Sequence, residues 1–185
     1  MLDLQRIDKD WTLFLDRDGI INVEKEDGYI LHWGEFEFYQ GVEEAVSVFS
    51  KLFNVIVMAT NQRGVGKGLM TVDDLNDIHL KMLQQLEKSG GRIDQIYCCI
   101  SLDDNDPMRK PNPGMAFEAK KDFPAIDFSK SIMVGNNISD MEFGRNAGMK
   151  TIFVRTTKPE ITLPHPAIDF IVDSLSDLAK ALQKS

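Results

Sequence analysis

The chain of 185 residues has 43% hydrophobic and 27% charged residues, which is the composition of a folded globular protein rather than a disordered one. Its formal net charge is -8 and its pI is near 4.9, which argues against binding to nucleic acid or to an anionic membrane through bulk electrostatics. The length favours one domain spanning residues 1–185, and we expect a small molecule as the partner.

The cysteines and the N-terminus indicate a reducing compartment. Cys98 and Cys99 are adjacent in an apolar run and provide no disulfide framework. The N-terminal stretch MLDLQRIDKDW lacks the apolar core of a signal peptide. No segment approaches the roughly 18 apolar residues of a membrane span. We expect a cytoplasmic protein that binds neither nucleic acid nor a membrane; the oligomeric state stays open, with the monomer favoured.

Short apolar runs alternate with segments of helical periodicity along the chain. Apolar residues recur at helical spacing between Val42 and Leu52, and again between Leu75 and Leu86. This alternation predicts an α/β protein with a three-layer, doubly wound, Rossmann-like and mainly parallel sheet. The predicted strands are 12–15, 54–59, 95–100, 131–134, 151–154 and 169–172.

Two helix starts and three loops can be predicted between these runs. Thr71 with Asp74 has the spacing of a capping box, and Asn112 with Pro113 has that of a cap followed by a first-turn proline. The remaining stretches 22–40, 63–70 and 101–109 are predicted loops after the carboxyl ends of strands. In an open doubly wound sheet, ligands bind at that edge.

Four polar clusters fall on the same predicted edge. Two aspartates so close in sequence repel each other, which is tolerated where cations join them. The clusters are Asp16, Arg17, Asp18 and Gly19 after the first strand, Thr60, Asn61 and Gln62 after the second, Arg109 and Lys110 after the third, and Gly135 to Asp140 after the fourth.

In this order the clusters resemble the four signatures of the haloacid dehalogenase (HAD) superfamily of phosphatases. The resemblance covers residues 12–154. The stretches FLDRDGIIN, TNQRGVGKG, RKPNPGM and 134–148 are similar to the branch that contains heptose bisphosphate phosphatases and the histidinol phosphatase domain. Polynucleotide 3'-phosphatases share parts of these sequence motifs. The short spacings between the signatures leave no room for a large cap domain, so a HAD-like fold with loops around the site is implied.

The resemblance implies hydrolysis of a phosphate monoester through an aspartyl-phosphate intermediate. Asp16 is the expected nucleophile, and Asp18 is the expected general acid for the leaving oxygen and later the base for the attacking water. Lys110 is expected to hold the phosphoryl group, while the Thr60 hydroxyl binds its remaining oxygens.

Mg²⁺ is the implied cofactor, because a hard cation takes carboxylate, carbonyl and phosphate oxygens. The resemblance places it on the Asp16 side chain, the Asp18 backbone carbonyl and Asn136. Asp140 is expected to bind a metal-bound water or to orient Lys110. The fourth signature usually reads G-D-x-x-x-D, whereas Asn136 stands here for the first aspartate. Asparagine keeps an oxygen but loses a charge, so Mg²⁺ affinity is expected to drop.

Several loop residues are expected to bind substrate. Arg109 has the planar guanidinium that grips a phosphate through two hydrogen bonds, here a second, non-reacting phosphate. Gly28 and Tyr29 resemble the stretch that lines the sugar pocket in the heptose branch. The expected substrate-binding set is Gly19, Tyr29, Asn61, Gln62, Arg63 and Arg109.

A structural zinc site is not expected. Many heptose bisphosphate phosphatases carry C-x-H, a spacer and C-x-C ahead of R-K-P, which together make a closed tetrahedral site. Here the region reads CCISLDDNDPMRKP, with Ser101 at the histidine position and no cysteine after Cys99.

The implied substrate is a small sugar phosphate. The sequences of the signatures favour the 7-phosphate of a D-glycero-D-manno-heptose 1,7-bisphosphate as the group that is hydrolysed. This resemblance implies a role in making cell-surface polysaccharide precursors. Histidinol phosphate or another small phosphomonoester is the alternative. A catalytically weak regulator that binds a phosphorylated ligand is the alternative from another class, and Asn136 is its support.

Overall fold

A single sheet of six parallel strands organises the chain in the computed structural model, which describes residues 3–183. Residues 1, 2, 184 and 185, which the predicted domain includes, lie outside the described residues. The strand order is β3-β2-β1-β4-β5-β6. The strands are β1 (Thr12–Leu15), β2 (Val55–Asn61), β3 (Gln95–Cys99), β4 (Ser131–Gly135), β5 (Lys150–Val154) and β6 (Phe170–Val172).

Helices cover both faces of this sheet. Alternate residues of a strand point to opposite faces, so in β1 Leu13 and Leu15 pack with α1, α3 and α6, while Phe14 packs with α4 and α5. The helices are α1 (Val42–Leu52), α2 (Arg63–Gly66), α3 (Val72–Lys88), α4 (Gly114–Asp122), α5 (Ile138–Ala147) and α6 (Leu175–Gln183). The predicted three-layer architecture is confirmed.

Strand β1 lies at the centre of the sheet, where the strand order reverses. Leu15 pairs with Met58 of β2 on one side and with Val134 of β4 on the other. In doubly wound sheets the crevice at such a reversal is the usual ligand site. The residues that follow β1 therefore begin at the place where a ligand is expected.

Two local predictions are wrong. Residues 63–70 were expected to be a loop, but Arg63–Gly66 form the short helix α2, because one helical turn is too short to show a periodicity. Asn112 was expected to cap the next helix, but Pro113 is the N-cap of α4. Asn112 instead donates a hydrogen bond of 2.9 Å to the Asp106 carbonyl. The capping box of Thr71 and Asp74 at the start of α3 is present.

The long segment between β1 and α1 is anchored by aromatic packing. Trp33 stacks on Phe36 at 5.0 Å, and Phe36 meets the edge of Phe38 at 5.0 Å. These rings pack against the main core, which fixes the segment that carries Tyr29. Among residues 3–183, no helix combines the length and apolar character needed to cross a membrane.

Candidate active site

Asp16, Lys110 and Asp140 converge at the carboxyl edge of the sheet. Asp16 directly follows β1, and its amide donates to the Val134 carbonyl at 3.0 Å. The Lys110 ammonium lies 2.9 Å from Oδ1 of Asp16 and 2.7 Å from Oδ1 of Asp140. The Asp16 side chain is 11% exposed, and the other two are 2% exposed. One buried ammonium therefore serves two carboxylates.

This shared ammonium shifts the ionisation of the cluster. Burial raises the pKa of Asp16 to about 7; Lys110 opposes the shift, and the neighbouring Asp140 carboxylate adds to it. Burial alone would lower the pKa of Lys110, but the charges of Asp140 and Asp16 outweigh it and raise that pKa. An additional cation near Asp16 would favour the ionised carboxylate.

The start of α5 orients Asp140. Its Oδ2 accepts a hydrogen bond of 3.0 Å from the amide of Asn137, the N-cap of that helix. This bond leaves Oδ1 facing Lys110. A Cβ atom at Gly135 would lie 2.3 Å from Oδ2 of Asp140, so the close approach of the carboxylate to β4 requires glycine. The fourth signature thus places Asp140 beside the lysine.

The Asp18 carboxylate is held by four donor groups of three side chains. Arg17 donates from Nη2 at 2.9 and 3.0 Å and from Nε at 3.3 Å, and Asn22 and Gln62 each donate from 2.9 Å. Burial works against ionisation of Asp18, but the Arg17 charge and these hydrogen bonds together lower its pKa. In this arrangement Asp18 is held as the anion.

Arg17 is a central residue to which the sequence analysis gave no role. It is 0% exposed, and its Nη1 lies 3.1 Å from Nε2 of His79 on α3. Burial and the Arg17 charge lower the pKa of His79 to about 3, so the imidazole is neutral and accepts this hydrogen bond. An arginine between two aspartates at a strand end was the available signal, but its partner His79 lies 62 residues away.

The residues that follow β2, Thr60, Asn61 and Gln62, hold other site residues in place through hydrogen bonds. Oδ1 of Asn61 accepts from the Lys110 amide at 3.1 Å, and its Nδ2 donates to the Lys110 carbonyl at 3.2 Å. The Thr60 hydroxyl accepts from Gln62 Nε2 at 2.9 Å and is buried. Asn61 therefore fixes the backbone of the lysine, while Gln62 links Thr60 to Asp18.

Asn136 is buried and packs against Gly19. A Cβ atom at Gly19 would be 2.0 Å from Nδ2 of Asn136, so only glycine fits here. Nδ2 donates to Oε2 of Glu24 and to the Thr157 hydroxyl, each at 2.8 Å. The buried Oδ1 atom has no hydrogen-bond partner among the described residues.

An open cavity lies over this cluster. Of the predicted site residues, Thr60, Gly19, Arg63, Arg109 and Asn136 are not part of its wall, whereas the others are. The wall consists of Asp16, Asp18, Glu24, Lys25, Gly28, Tyr29, Ile30, Asn61, Gln62, Lys110, Asn137, Ser139 and Asp140. Glu24, Lys25 and Ser139 belong to this wall although no sequence pattern predicted a role for them.

Arg63 and Arg109 both contact Asp104 in the loop after β3. Arg63 pairs with Asp104 Oδ1, and Nε of Arg109 lies 3.0 Å from the same oxygen. The Asp104 side chain is 79% exposed, and exposed ion pairs contribute about 0–1 kcal/mol.

Comparisons with known proteins agree with this geometry. A HAD-hydrolase-like family model matches residues 107–178. The D-glycero-beta-D-manno-heptose-1,7-bisphosphate 7-phosphatase of Escherichia coli strain K12 is 35% identical over 183 residues, which cover 94% of each chain. The D-glycero-alpha-D-manno-heptose-1,7-bisphosphate 7-phosphatase of Campylobacter jejuni is 37% identical over 77% of this chain and 81% of its own. The chain belongs to the HAD phosphatases.

A solved structure extends the likeness of this HAD phosphatase to the fold. The D,D-heptose 1.7-bisphosphate phosphatase from B. bronchiseptica, crystallised with magnesium and phosphate, matches with a TM-score of 0.83 at 28% identity. The match covers 94% of this chain and 98% of that one. The family resemblance, the HAD-like fold and the assignment as a phosphatase are confirmed.

The donor set of this HAD phosphatase fits a divalent cation. Glu24 and the three aspartates described above bring four carboxylates to the site, and the cations in direct contact with them are Arg17 and Lys110. No three His, Cys, Asp or Glu side chains within residues 3–183 form a metal-binding group by themselves. The Asn136 side-chain oxygen, which lacks a hydrogen-bond partner in the described chain, is a further oxygen of the kind that Mg²⁺ takes, as are backbone carbonyls.

Proposed function

We propose that this HAD phosphatase hydrolyses the 7-phosphate of a D-glycero-D-manno-heptose 1,7-bisphosphate with Mg²⁺, through an aspartyl-phosphate intermediate. The observation that carries the proposal is the convergence of Asp16, Lys110 and Asp140 beneath one open cavity. Relatives named for this activity match nearly the whole chain at 35% identity. The family and the geometry support the same chemistry.

Asp16 is the proposed nucleophile. Both contacts found for its carboxylate among residues 3–183 use Oδ1, which accepts from the Arg17 amide at 2.8 Å and pairs with Lys110 at 2.9 Å. This clamp fixes the carboxylate plane toward the cavity. Attack on phosphorus forms the aspartyl phosphate and releases the sugar hydroxyl, and water then cleaves the aspartyl phosphate.

Lys110 is proposed to neutralise negative charge during both steps. Its ammonium is held between Asp16 and Asp140, and Asn61 fixes its backbone from both sides. A charge that is held in place before the reaction stabilises the transition state without reorganisation. Asp140 therefore acts as a positioning residue for the lysine.

Asp18 is proposed as the general acid in the first step and the general base in the second. Its surroundings favour the ionised form, which is the form that acts as a base. Its four donor groups stabilise the carboxylate, which suits proton removal from the water that cleaves the aspartyl phosphate. Protonation of the leaving oxygen requires the opposite form. We therefore propose that substrate binding loosens the contact of Asp18 with Gln62 or Arg17.

The metal site is proposed at Asp16, the Asp18 carbonyl and Asn136, with Asp140 nearby. When bound, Mg²⁺ supplies positive charge to the phosphoryl oxygens and to the nucleophile. Tyr29 is part of the cavity wall, and the Lys67 ammonium lies 5.0 Å from the centre of its ring. This rim is proposed to receive the sugar and its second phosphate, together with Arg109.

The test is phosphate release from both anomers of the heptose bisphosphate, from histidinol phosphate and from hexose phosphates, each with Mg²⁺ or EDTA. We expect a preference for one heptose bisphosphate and loss of activity in EDTA and in Asp16→Asn. Equal turnover of all esters would remove the substrate proposal and keep the phosphatase. A wild-type protein without turnover of a generic aryl phosphate would contradict the enzyme itself.

A further inference from the structure

The Asn136 side chain faces two different environments with the two ends of its amide. On one side Nδ2 donates to Glu24 Oε2 and to the Thr157 hydroxyl, each at 2.8 Å. On the other side the buried Oδ1 lacks a hydrogen-bond partner within the described residues. Asn136 is 0% exposed, so this oxygen is shielded from bulk solvent. A buried acceptor that meets no donor is unfavourable unless an ion or a ligand contacts it.

We infer that Glu24 and Thr157 lock the Asn136 amide so that its oxygen, and not its nitrogen, faces the metal. This inference rests on the proposed function, because it assigns a positioning role at the proposed Mg²⁺ site. An aspartate at position 136 would present an oxygen in either orientation. An asparagine presents an oxygen in one orientation and an NH₂ group in the other, and the NH₂ group cannot bind Mg²⁺.

The contacts of Nδ2 make the flipped orientation unfavourable. An ionised carboxylate only accepts hydrogen bonds, so a flip would place Oδ1 of Asn136 against Oε2 of Glu24. That exchange replaces a charge-assisted hydrogen bond, which is among the stronger kinds, with a repulsive contact. The Thr157 hydroxyl also accepts from Nδ2 on this side, but because a hydroxyl can donate as well, it opposes the flip less than Glu24 does.

The Asn136 side chain also packs against Gly19. Cγ of Asn136 lies 2.5 Å from the position a Cβ atom would take on Gly19, so the side chain packs directly on the Gly19 backbone. The Gly19 carbonyl is itself held by the hydroxyl of Thr156. Glu24 restricts the amide flip.

The test is a double-mutant cycle between Glu24→Leu and Asn136→Asp, read as the dissociation constant of Mg²⁺ alone by titration calorimetry. Loss of a partner that orients a metal ligand typically lowers affinity about 10- to 100-fold. We expect Glu24→Leu to weaken Mg²⁺ binding by about tenfold in the Asn136 protein. The same substitution should lower Mg²⁺ affinity much less in the Asn136→Asp protein, because an aspartate presents an oxygen in either orientation of its side chain.

Two further variants keep the test interpretable. Thr157→Val removes the second acceptor at an exposed position and should give a smaller loss that Asn136→Asp also rescues. Glu26→Leu removes an acidic side chain from an exposed position in the same loop and should leave Mg²⁺ affinity unchanged. Thermal unfolding of each metal-free variant verifies that it is folded.

The outcomes separate the inference from the proposed function. An equal loss of affinity from Glu24→Leu in both backgrounds would assign Glu24 a role through charge and overturn the lock. A Glu24→Leu protein that binds Mg²⁺ as tightly as the wild type would also overturn the lock. In either case the proposed function stands as long as the wild-type protein binds Mg²⁺ and turns over substrate. A wild-type protein that binds no Mg²⁺ would overturn both.

Discussion

The Lys110 ammonium lies 2.7 Å from the Asp140 carboxylate, and both side chains are 2% exposed. The pair joins the loop before α4 to the first turn of α5, two elements that approach each other only in the folded chain. Because Asp140 also accepts from the Asn137 amide, the lysine is attached to a rigid helix start. The position of Lys110 over Asp16 depends on this attachment.

Asp140→Asn should lower kcat by about 10- to 100-fold, the usual cost of losing a group that orients a reactive one. The free energy of unfolding should fall by about 1–3 kcal/mol, because the buried Lys110 ammonium loses one of its two carboxylate partners. Its ion pair with Asp16 remains. Steady-state kinetics and urea unfolding measure both. The matched control is Glu118→Gln, which removes the exposed partner of Lys121 and should change neither quantity; unchanged kcat in Asp140→Asn would contradict the positioning role.

The raised pKa of Asp16 predicts a pH-dependent stability of the metal-free protein. The pKa is about 7 in the folded state against an ordinary value of 3.8, so the folded state binds more protons between these values. The free energy of unfolding should therefore decrease as pH rises from 3.8 to about 7.

Chemical denaturation at several pH values measures this slope with and without Mg²⁺. Asp16→Asn should lose this part of the slope. Saturating Mg²⁺ should stabilise the wild type more at pH values above about 7 than below, because metal binding favours the deprotonated carboxylate. A wild-type slope that Asp16→Asn leaves unchanged would mean that another group titrates in this window.

His79 is predicted to act through Arg17 on Asp18. His79→Leu removes the acceptor of Arg17 Nη1 and should lower kcat about tenfold, less than the 10²–10⁴-fold typical of losing a general acid or base. His79→Gln keeps an acceptor and should retain most activity. Because the pKa of His79 is about 3, neither variant should add or remove an ionisation between pH 5 and 8 in the kcat/KM profile. Equal kcat for the leucine and glutamine variants would show that the imidazole serves packing alone.

Arg109 is predicted to bind the phosphate that does not react. Arg109→Met should raise KM for the heptose bisphosphate by about tenfold, the effect of losing a charged hydrogen bond, and leave KM for an aryl monophosphate unchanged. Asp104→Ala removes the exposed carboxylate that pairs with the guanidinium and should lower KM for the bisphosphate. The same rise of KM for both esters in Arg109→Met would place the arginine outside the second-phosphate site.

The positions of Asp16, Asp18 and Lys110 at one edge could be predicted because each follows a strand or precedes a helix with a recognisable pattern. A buried apolar run and its polar end are local features, and parallel strands bring their carboxyl ends together. The predicted β1 matches the observed Thr12–Leu15, and other strand ends differ by one or two residues. The same local order carries the family signatures, which is why the phosphatase class could be inferred.

The sequence by itself therefore determined the sheet, the edge at which the polar clusters meet and the residues on which the proposed chemistry rests. The tertiary structure decided which side chains hold these residues in place: His79 behind Arg17, Asn61 on the Lys110 backbone, and Glu24 against Asn136. These partners are 62, 49 and 112 residues apart. Local patterns contain no record of such contacts, because they depend on how helices and loops pack over the finished sheet.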